Sequence, residues 1–347
     1  MNELVRNAGR RVKRRAQWLV GQPQLVALLE AQRMEHAQAV ANMQASLDAL
    51  NARIDRDLPV EINRLDGYLA YQMEDIRRSI AFEGEVARRR ITPIGDDLDV
   101  LVTGRHFDFV VPTREVGLLA FLTRHGAEAI EPGVRAVLRA HLRPGDTVVD
   151  AGANIGVHAV ELAAAVGPGG RALCFEPLPH IADALRRTLL VNGLSGQSEV
   201  YSKALSDETR IADLFVASHS PLTSLFPVED SGSEVPARVE LTTLDDVIPS
   251  AARVDAVKID VEGAEPRVWR GMRRVREENH RLAVVVEWSA SHFARSGESA
   301  DDFLSEIRRE GFEVSVIDED DPGTVVPIDG QDAASLESKN LLLLRGH

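Results

Sequence analysis

Charged side chains that close apolar runs carry the clearest chemistry in this sequence. Lys258, Asp260 and Glu262 stand at alternate positions of VKIDVEG, Val257 to Gly263. With period two they share one face while the backbone stays extended. Glu287 closes a second run, Leu282 to Trp288. Two or three carboxylates beside a lysine can deprotonate a hydroxyl, orient an acceptor or bind a divalent metal such as Mg²⁺. The bland alternative is that Lys258 and Asp260 merely pair within a sheet while Gly263 makes the turn. Two charges ending an otherwise apolar strand (Val254, Ala256, Val257, Ile259) are costly to bury without a task, which favours the chemical reading.

A second constellation lies at VVDAGANIG, Val148 to Gly156. A short apolar run ends in Asp150 and turns through Gly152, Asn154 and Gly156 into an amphipathic segment. Strand, glycine turn and helix start form the nucleotide-binding element of doubly wound α/β domains. The two glycines would let the backbone approach a ligand, and the helix N-terminus offers unpaired N–H groups. A dinucleotide fingerprint would read G-x-G-x-x-G with no acid ending the strand. Here Asp150 stands where a pyrophosphate would come, and a carboxylate repels phosphate but attracts an ammonium or sulfonium. Glu176, ending the next apolar run, can accept both ribose hydroxyls. Together these residues describe a site for S-adenosylmethionine. His158, just past the turn, and His292, just past Trp288, are further candidates, although a lone helix histidine is more often structural. Cys174 reads as a small buried hydrophobe.

The elements that must hold these residues alternate regularly. Strands are expected at Thr147 to Asp150, Arg171 to Glu176, Glu199 to Lys203, Val254 to Asp260 and Leu282 to Trp288. Helices follow at Ile155 to Val166, Pro179 to about Asn192, Glu265 to about Glu278 and Ala300 to Glu310. Phe312 to Ile317 and Asn340 to Leu344 predict an antiparallel closing pair. Repeated strand–helix units imply a doubly wound, mostly parallel, seven-stranded Rossmann-like sheet buried on both faces. In that order the strand ending at Asp260 lies beside the one ending at Asp150. Residues 204–236, with SHSPLTS at Ser218 to Ser224, read as irregular loop near the acceptor, ahead of a strand at Arg238 to Thr242 and a short helix at Leu244 to Ile248. Upstream, Ile91 to Pro112 alternates as short strands or a hairpin, and helices are expected at Arg114 to His125 and Gly133 to His141.

Composition bounds the rest. The chain has 347 residues, 44% of them hydrophobic, enough for one large core plus an appendage. A net charge of −14 disfavours a general nucleic-acid partner. The single cysteine excludes an internal disulfide and suits a reducing, cytoplasmic setting. Four segments are expected: a basic tail over 1–23, a helical arm over 24–90, connecting strands and helices over 91–145 and the catalytic domain over 146–347. In the tail, Arg6, Arg10, Arg11, Lys13, Arg14 and Arg15 precede Trp18-Leu19-Val20. Gln17, Gly21, Gln22 and Pro23 break the apolar part, so a solvated tail or a peripheral contact with anionic lipid fits better than a cleaved signal. In the arm, Met43, Leu47, Leu50 and Ile54, then Ile62, Leu65, Leu69, Met73, Ile76 and Ile80, make a thin apolar stripe with Pro59 between the two halves. Such a stripe implies a partner helix, hence a coiled coil and a homo-oligomer; a hairpin folded on its own domain is the alternative.

From roughly Phe107 to Gly346 the sequence resembles the FkbM-type family of class I S-adenosylmethionine-dependent methyltransferases. VVDAGANIGVH, FEP (Phe175 to Pro177), VKIDVEGAE with Gly271, TTLDDVI (Thr242 to Ile248) and KALSD (Lys203 to Asp207) carry the likeness. Val157-His158 departs from it, since the family usually shows an aromatic there. The resemblance implies methyl transfer to oxygen, commonly a hydroxyl of a sugar, glycolipid, glycan or polyketide-type product. It implies Asp150, Gly152, Asn154, Gly156 and Glu176 at the cofactor, with Asp207 a further cofactor candidate from KALSD. Asp260 and Glu262, then Lys258 and Glu287, fall near the acceptor. Two alternatives stand beside it. One is a non-catalytic scaffold working through the arm. The other is an N-methyltransferase, although its Asn/Asp-Pro-Pro-aromatic motif is replaced here by IDVEG.

Overall fold

The computed structural model describes residues 27, 30–52, 73, 91–94, 99–216, 223–224, 235–328 and 336–346. The chain divides into two units, Met1–Phe82 and Glu83–His347. In the first, residues 30–52 form a helix, α1, with Met34, Val40, Met43, Leu47 and Leu50 exposed. The basic tail, Pro59, and the arm's second stripe other than Met73 lie outside the described residues, as do residues 218–222 of SHSPLTS.

The second unit opens with β1 (Ile91–Ile94), β2 (Asp99–Thr103) and β3 (Asp108–Pro112), an antiparallel three-stranded sheet where short strands or a hairpin were expected. Helices α2 (Val116–His125) and α3 (Pro132–His141) lead into β4 (Thr147–Ala151). Then come α4 (Val157–Val166), β5 (Arg171–Phe175), α5 (Pro179–Val191) and β6 (Ser198–Tyr201). A small second sheet follows, made of β7 (Ala204–Leu205), β8 (Arg210–Val216), β9 (Thr223–Ser224) and β10 (Val235–Thr242). The chain returns to the main sheet through α6 (Leu244–Val247) and β11 (Ala256–Ile259). After α7 (Glu265–Gly271) and α8 (Arg273–Glu278) comes β12 (Ala283–Trp288), then α9 (Ala290–Arg295) and α10 (Ala300–Arg309). Strands β13 (Phe312–Ile317), β14 (Val325–Pro327) and β15 (Lys339–Arg345) finish it.

The main sheet has the order β14-β13-β15-β12-β11-β4-β5-β6. Strands β12, β11, β4, β5 and β6 run parallel, and β15 inserts antiparallel between β12 and β13. The expected closing pair is therefore present, and the eighth strand is the addition. Strand β14 is short, exposed and ends in Pro327, features that suit an edge position.

Alternation of side chains explains why both faces are covered. Val148, Ala172, Cys174, Ala256 and Val285 face one layer, with α3, α4 and α5, whereas Val149, Leu173, Phe175, Val257 and Val286 face the other. The chain leaves β4 towards β5 on one side and returns at β11 on the other. The crevice between them is the switch point where ligands bind in open α/β sheets.

Three expectations need correction. The segment from 204 to 236 is not plain loop: Arg210–Val216 pairs antiparallel with β10, and Ala204–Leu205 pairs parallel with it. The single helix expected over Glu265 to Glu278 breaks at Met272, where φ is −119°. At the break Gly271 abuts the Ser206 carbonyl, which an added Cβ would meet at 1.9 Å. The helix expected from Arg114 starts at Val116.

Candidate active site

Strand β4 delivers Asp150 and the glycine turn. Gly152 (φ 85°), Asn154 (φ 49°) and Gly156 (φ 102°) all take left-handed backbone. The N–H groups of Gly152 and Ala153 both donate to the Phe175 carbonyl at 3.0 Å, tying the turn to the end of β5. A Cβ on Gly152 would lie 1.8 Å from the Asp260 carbonyl, and one on Gly156 would lie 2.7 Å from Leu185 Cδ1. Protein neighbours, β11 and α5, thus already require glycine at both positions, in addition to the ligand approach expected of them.

Glu176 is buried and already engaged. Its Oε2 accepts from Asn154 N at 3.1 Å and its Oε1 from Leu178 N at 3.0 Å. Burial lifts its pKa to about 7 against those two backbone donors. Each oxygen keeps a second lone pair for a ribose hydroxyl. Asp150 is 2% exposed, and neither carboxylate oxygen has a hydrogen-bond partner. Burial raises its pKa to about 6, the Lys258 ammonium opposing. Two orphaned buried oxygens below the turn fit a cationic ligand, and Glu176 fits a ribose, as S-adenosylmethionine requires.

Strand β11 pairs Lys258 with Asp150 in register, so the second constellation lands beside the first. Lys258 is 2% exposed, and its Nζ donates to Asp260 Oδ2 at 2.8 Å. Burial lowers the Lys258 pKa, but Asp260, Glu131 and Asp150 outweigh it and keep the ammonium charged. Burial pushes Asp260 up. Lys258 and a hydrogen bond from Glu287 more than offset this, and its carboxyl is held below the usual range. Glu287, across on β12, is raised to about 10, first by burial and then by Asp260, so it is the neutral donor of that pair. Trp288 faces the opposite layer and stacks on Phe303 at 5.4 Å, fixing the end of the strand that presents Glu287.

The turn after β11 is pinned by a residue that sequence reasoning missed. Glu265 is buried, and its two oxygens accept from Val261 N and Gly263 N, both at 2.9 Å. This holds Glu262 in left-handed backbone (φ 56°). Glu262 is raised to about 8 by burial and then by Asp260, and its Oε2 lies 3.4 Å from His292 Nδ1. Glu262, Glu287 and His292 offer ligand atoms within 4.8 Å of one another, a donor set that could hold a divalent cation.

A cavity of about 1000 Å³ joins both constellations. Gly152, Asn154, Glu176, Lys258, Asp260, Glu262 and Glu287 line it, together with Glu131, His158 and apolar Val116, Ile155, Ile181 and Leu214. Asp150 lies behind the turn. Gly156 lies beyond the lining, under α5. Asp207 is not brought to the cavity: it is exposed and accepts from Ser206 Oγ. Cys174 is buried and free, with its thiol pKa raised by burial. Glu131 is the other lining residue that was missed. Its only sequence mark was the Glu-Pro before α3, read as a helix start.

The family model for the methyltransferase FkbM domain matches residues 150–314. Methyltransferase sdnD of Sordaria araneosa is 30% identical over 182 residues, covering 44% of this chain and 70% of that protein. A protein-L-isoaspartate O-methyltransferase of Aeropyrum pernix is 34% identical over 103 residues, 28% of this chain and 40% of its own. A solved S-adenosylmethionine-dependent O-methyltransferase from Thermotoga maritima aligns with TM-score 0.39 at 12% identity, over 69% of this chain and 73% of that one. With the glycine turn, the acid at the next strand end and the matching model and relative in place, the chain belongs to the FkbM methyltransferase family and is an S-adenosylmethionine-dependent methyltransferase.

Proposed function

We propose that the methyl acceptor is a hydroxyl group, on a sugar, glycolipid, glycan or polyketide-type product, and that Asp260 orients it. The observation behind this reading is the Lys258–Asp260–Glu287 cluster at the cavity wall beside the glycine turn. Bound S-adenosylmethionine supplies an electrophilic sulfonium methyl. The chain's own task is to place an acceptor oxygen in line and remove its proton. An ionised Asp260 accepts the hydroxyl's hydrogen bond and aims its lone pair. As the O–C bond forms and the S–C bond breaks, that proton becomes strongly acidic, and Asp260 takes it despite its own low pKa. Glu287 and Lys258 donate to Asp260 and keep it ionised and aimed.

Glu262, Glu287 and His292 are the residues that would hold a divalent cation such as Mg²⁺, which would supply Lewis-acid polarisation of the hydroxyl, with Glu287 then ionised instead of donating to Asp260. Chelator would then abolish turnover and Mg²⁺ restore it. N-methylation fits less well, because IDVEG stands where an amide- or amine-binding Asn/Asp-Pro-Pro motif would be. The scaffold reading predicts that calorimetry with S-adenosylmethionine gives no heat. Of the arm we propose association with a second copy, supported by the exposed stripe of Met43, Leu47 and Leu50 on α1. Peripheral contact of the basic tail with anionic lipid is the accompanying proposal, in a cytoplasmic setting. Among the described residues no helix is long and apolar enough to cross a membrane. The direct test is incubation with labelled S-adenosylmethionine and candidate glycans, glycolipids and polyketide-type alcohols, with the methyl located by mass spectrometry. Label on nitrogen, or none on any hydroxyl acceptor, would overturn the oxygen assignment.

A further inference from the structure

Glu131 and His158 form a polar pair in the cavity wall that acceptor activation does not use. Glu131 precedes α3 with left-handed backbone (φ 42°, ψ 60°), an arrangement costing about 1–2 kcal/mol for a non-glycine residue. Asn340 Nδ2 donates to Glu131 Oε1 at 2.8 Å across 209 residues of sequence, and so holds the side chain in place. Glu131 Oε2 then faces His158 Nε2 at 3.2 Å. The His158 side chain is 8% exposed, and its Nε2 makes no aligned hydrogen bond. Burial holds the imidazole well below its ordinary pKa, so it stays neutral with a single N–H.

Carboxylates outnumber cations around the pair: Glu131, Asp150, Asp260 and Glu319 stand against Lys258 and against Arg135, which acts on His158. Glu131, Asp150 and Asp260 all act on one ammonium, that of Lys258, and both Asp150 oxygens are buried without a partner. His158 lies in the first turn of the ten-residue helix α4, where backbone N–H groups favour an anion. Surplus carboxylate beside an imidazole at a helix N-terminus is complementary to a zwitterion with its ammonium and carboxylate on one carbon. We propose that Glu131 and His158 receive the α-amino-acid end of the cofactor, the Glu131 carboxylate taking the ammonium and the His158 N–H the carboxylate. This rests on the cofactor assignment above and names residues that assignment did not contain.

The test is titration calorimetry of the full chain with two probes. S-adenosylhomocysteine carries the amino-acid end and cannot be turned over, whereas 5′-methylthioadenosine lacks that end. Glu131→Gln and His158→Phe should each weaken S-adenosylhomocysteine at least tenfold while leaving 5′-methylthioadenosine within twofold. His158→Asn retains a side-chain N–H and should recover most of the loss. Equal weakening of both probes would assign the pair to packing and overturn the proposal, as would unchanged S-adenosylhomocysteine affinity. Wild-type protein that bound neither probe would instead sink the cofactor assignment, and the proposal with it.

Discussion

Asp260 and Glu287 stand half-buried in one cavity wall, but only Asp260 of the two has a cation in contact, Lys258 Nζ at 2.8 Å. Proximity of two carboxyls in low dielectric drives their proton affinities apart, and the ion pair decides which one ionises. Replacing Asp260 with Asn removes the acceptor for the hydroxyl proton and leaves the turn and Glu176 untouched. Turnover should fall by about 100-fold or more, the scale of general base catalysis, while calorimetry finds S-adenosylhomocysteine affinity within threefold. A loss of affinity with normal residual turnover would rule Asp260 out. Glu287 supports a prediction in pH. Its carboxyl ionises near 4.5 when unfolded and near 10 when folded, mainly through burial. Between those values the folded state binds more protons than the unfolded one, so this group's contribution to stability falls as pH rises. Glutamine mimics the neutral form. Glu287→Gln should therefore melt close to wild type near pH 5 and gain on it steadily towards pH 9. A constant difference in melting temperature across that range would show that Glu287 is not held neutral.

At the level of elements, the site depends on how closely β4, β11 and α5 approach one another. Gly152 permits the first contact: a Cβ there would meet the Asp260 carbonyl, which is backbone and cannot swing aside. Gly193 (φ 71°) has equally unfavourable backbone for a side chain but no atom within 4 Å of an added Cβ. The two separate steric from conformational cost. Gly193→Ala should lose about 1–2 kcal/mol from backbone strain alone. Gly152→Ala should lose a further 1–3 kcal/mol or so from overpacking, with cofactor binding impaired because the turn is displaced. Denaturant melts of the two variants measure the difference. Equal destabilisation would mean that β11 yields more readily than its hydrogen-bonded register implies.

On the scale of the whole molecule, the second unit, Glu83–His347, contains every residue placed at the cavity. Removing residues 1–82 should leave cofactor affinity within twofold, because no residue that lines the cavity is lost. The same truncation should convert an associating protein into a monomer, since the apolar stripe on α1 goes with the arm. Light scattering behind gel filtration reads the mass directly. A monomer in both forms would dismiss arm-mediated association.

The sequence by itself determined the layered architecture and most of the cofactor side. Local period separates buried strands from amphipathic helices, and VVDAGANIG, the strand-end Glu176 and VKIDVEG each declare themselves within a few residues. Tertiary structure alone decided which charges meet. Asp150 and Lys258 become neighbours through strand register 108 residues apart (258 − 150), and Glu131 is held by Asn340 across 209. The neutral state of Glu287 depends on burial between β12 and Asp260, and strand β8 depends on its pairing with β10. Periodicity reports which face a side chain occupies. It carries no information on a partner a hundred residues away or on the dielectric that partner creates, and those two quantities set the ionisation on which the proposed methyl transfer depends.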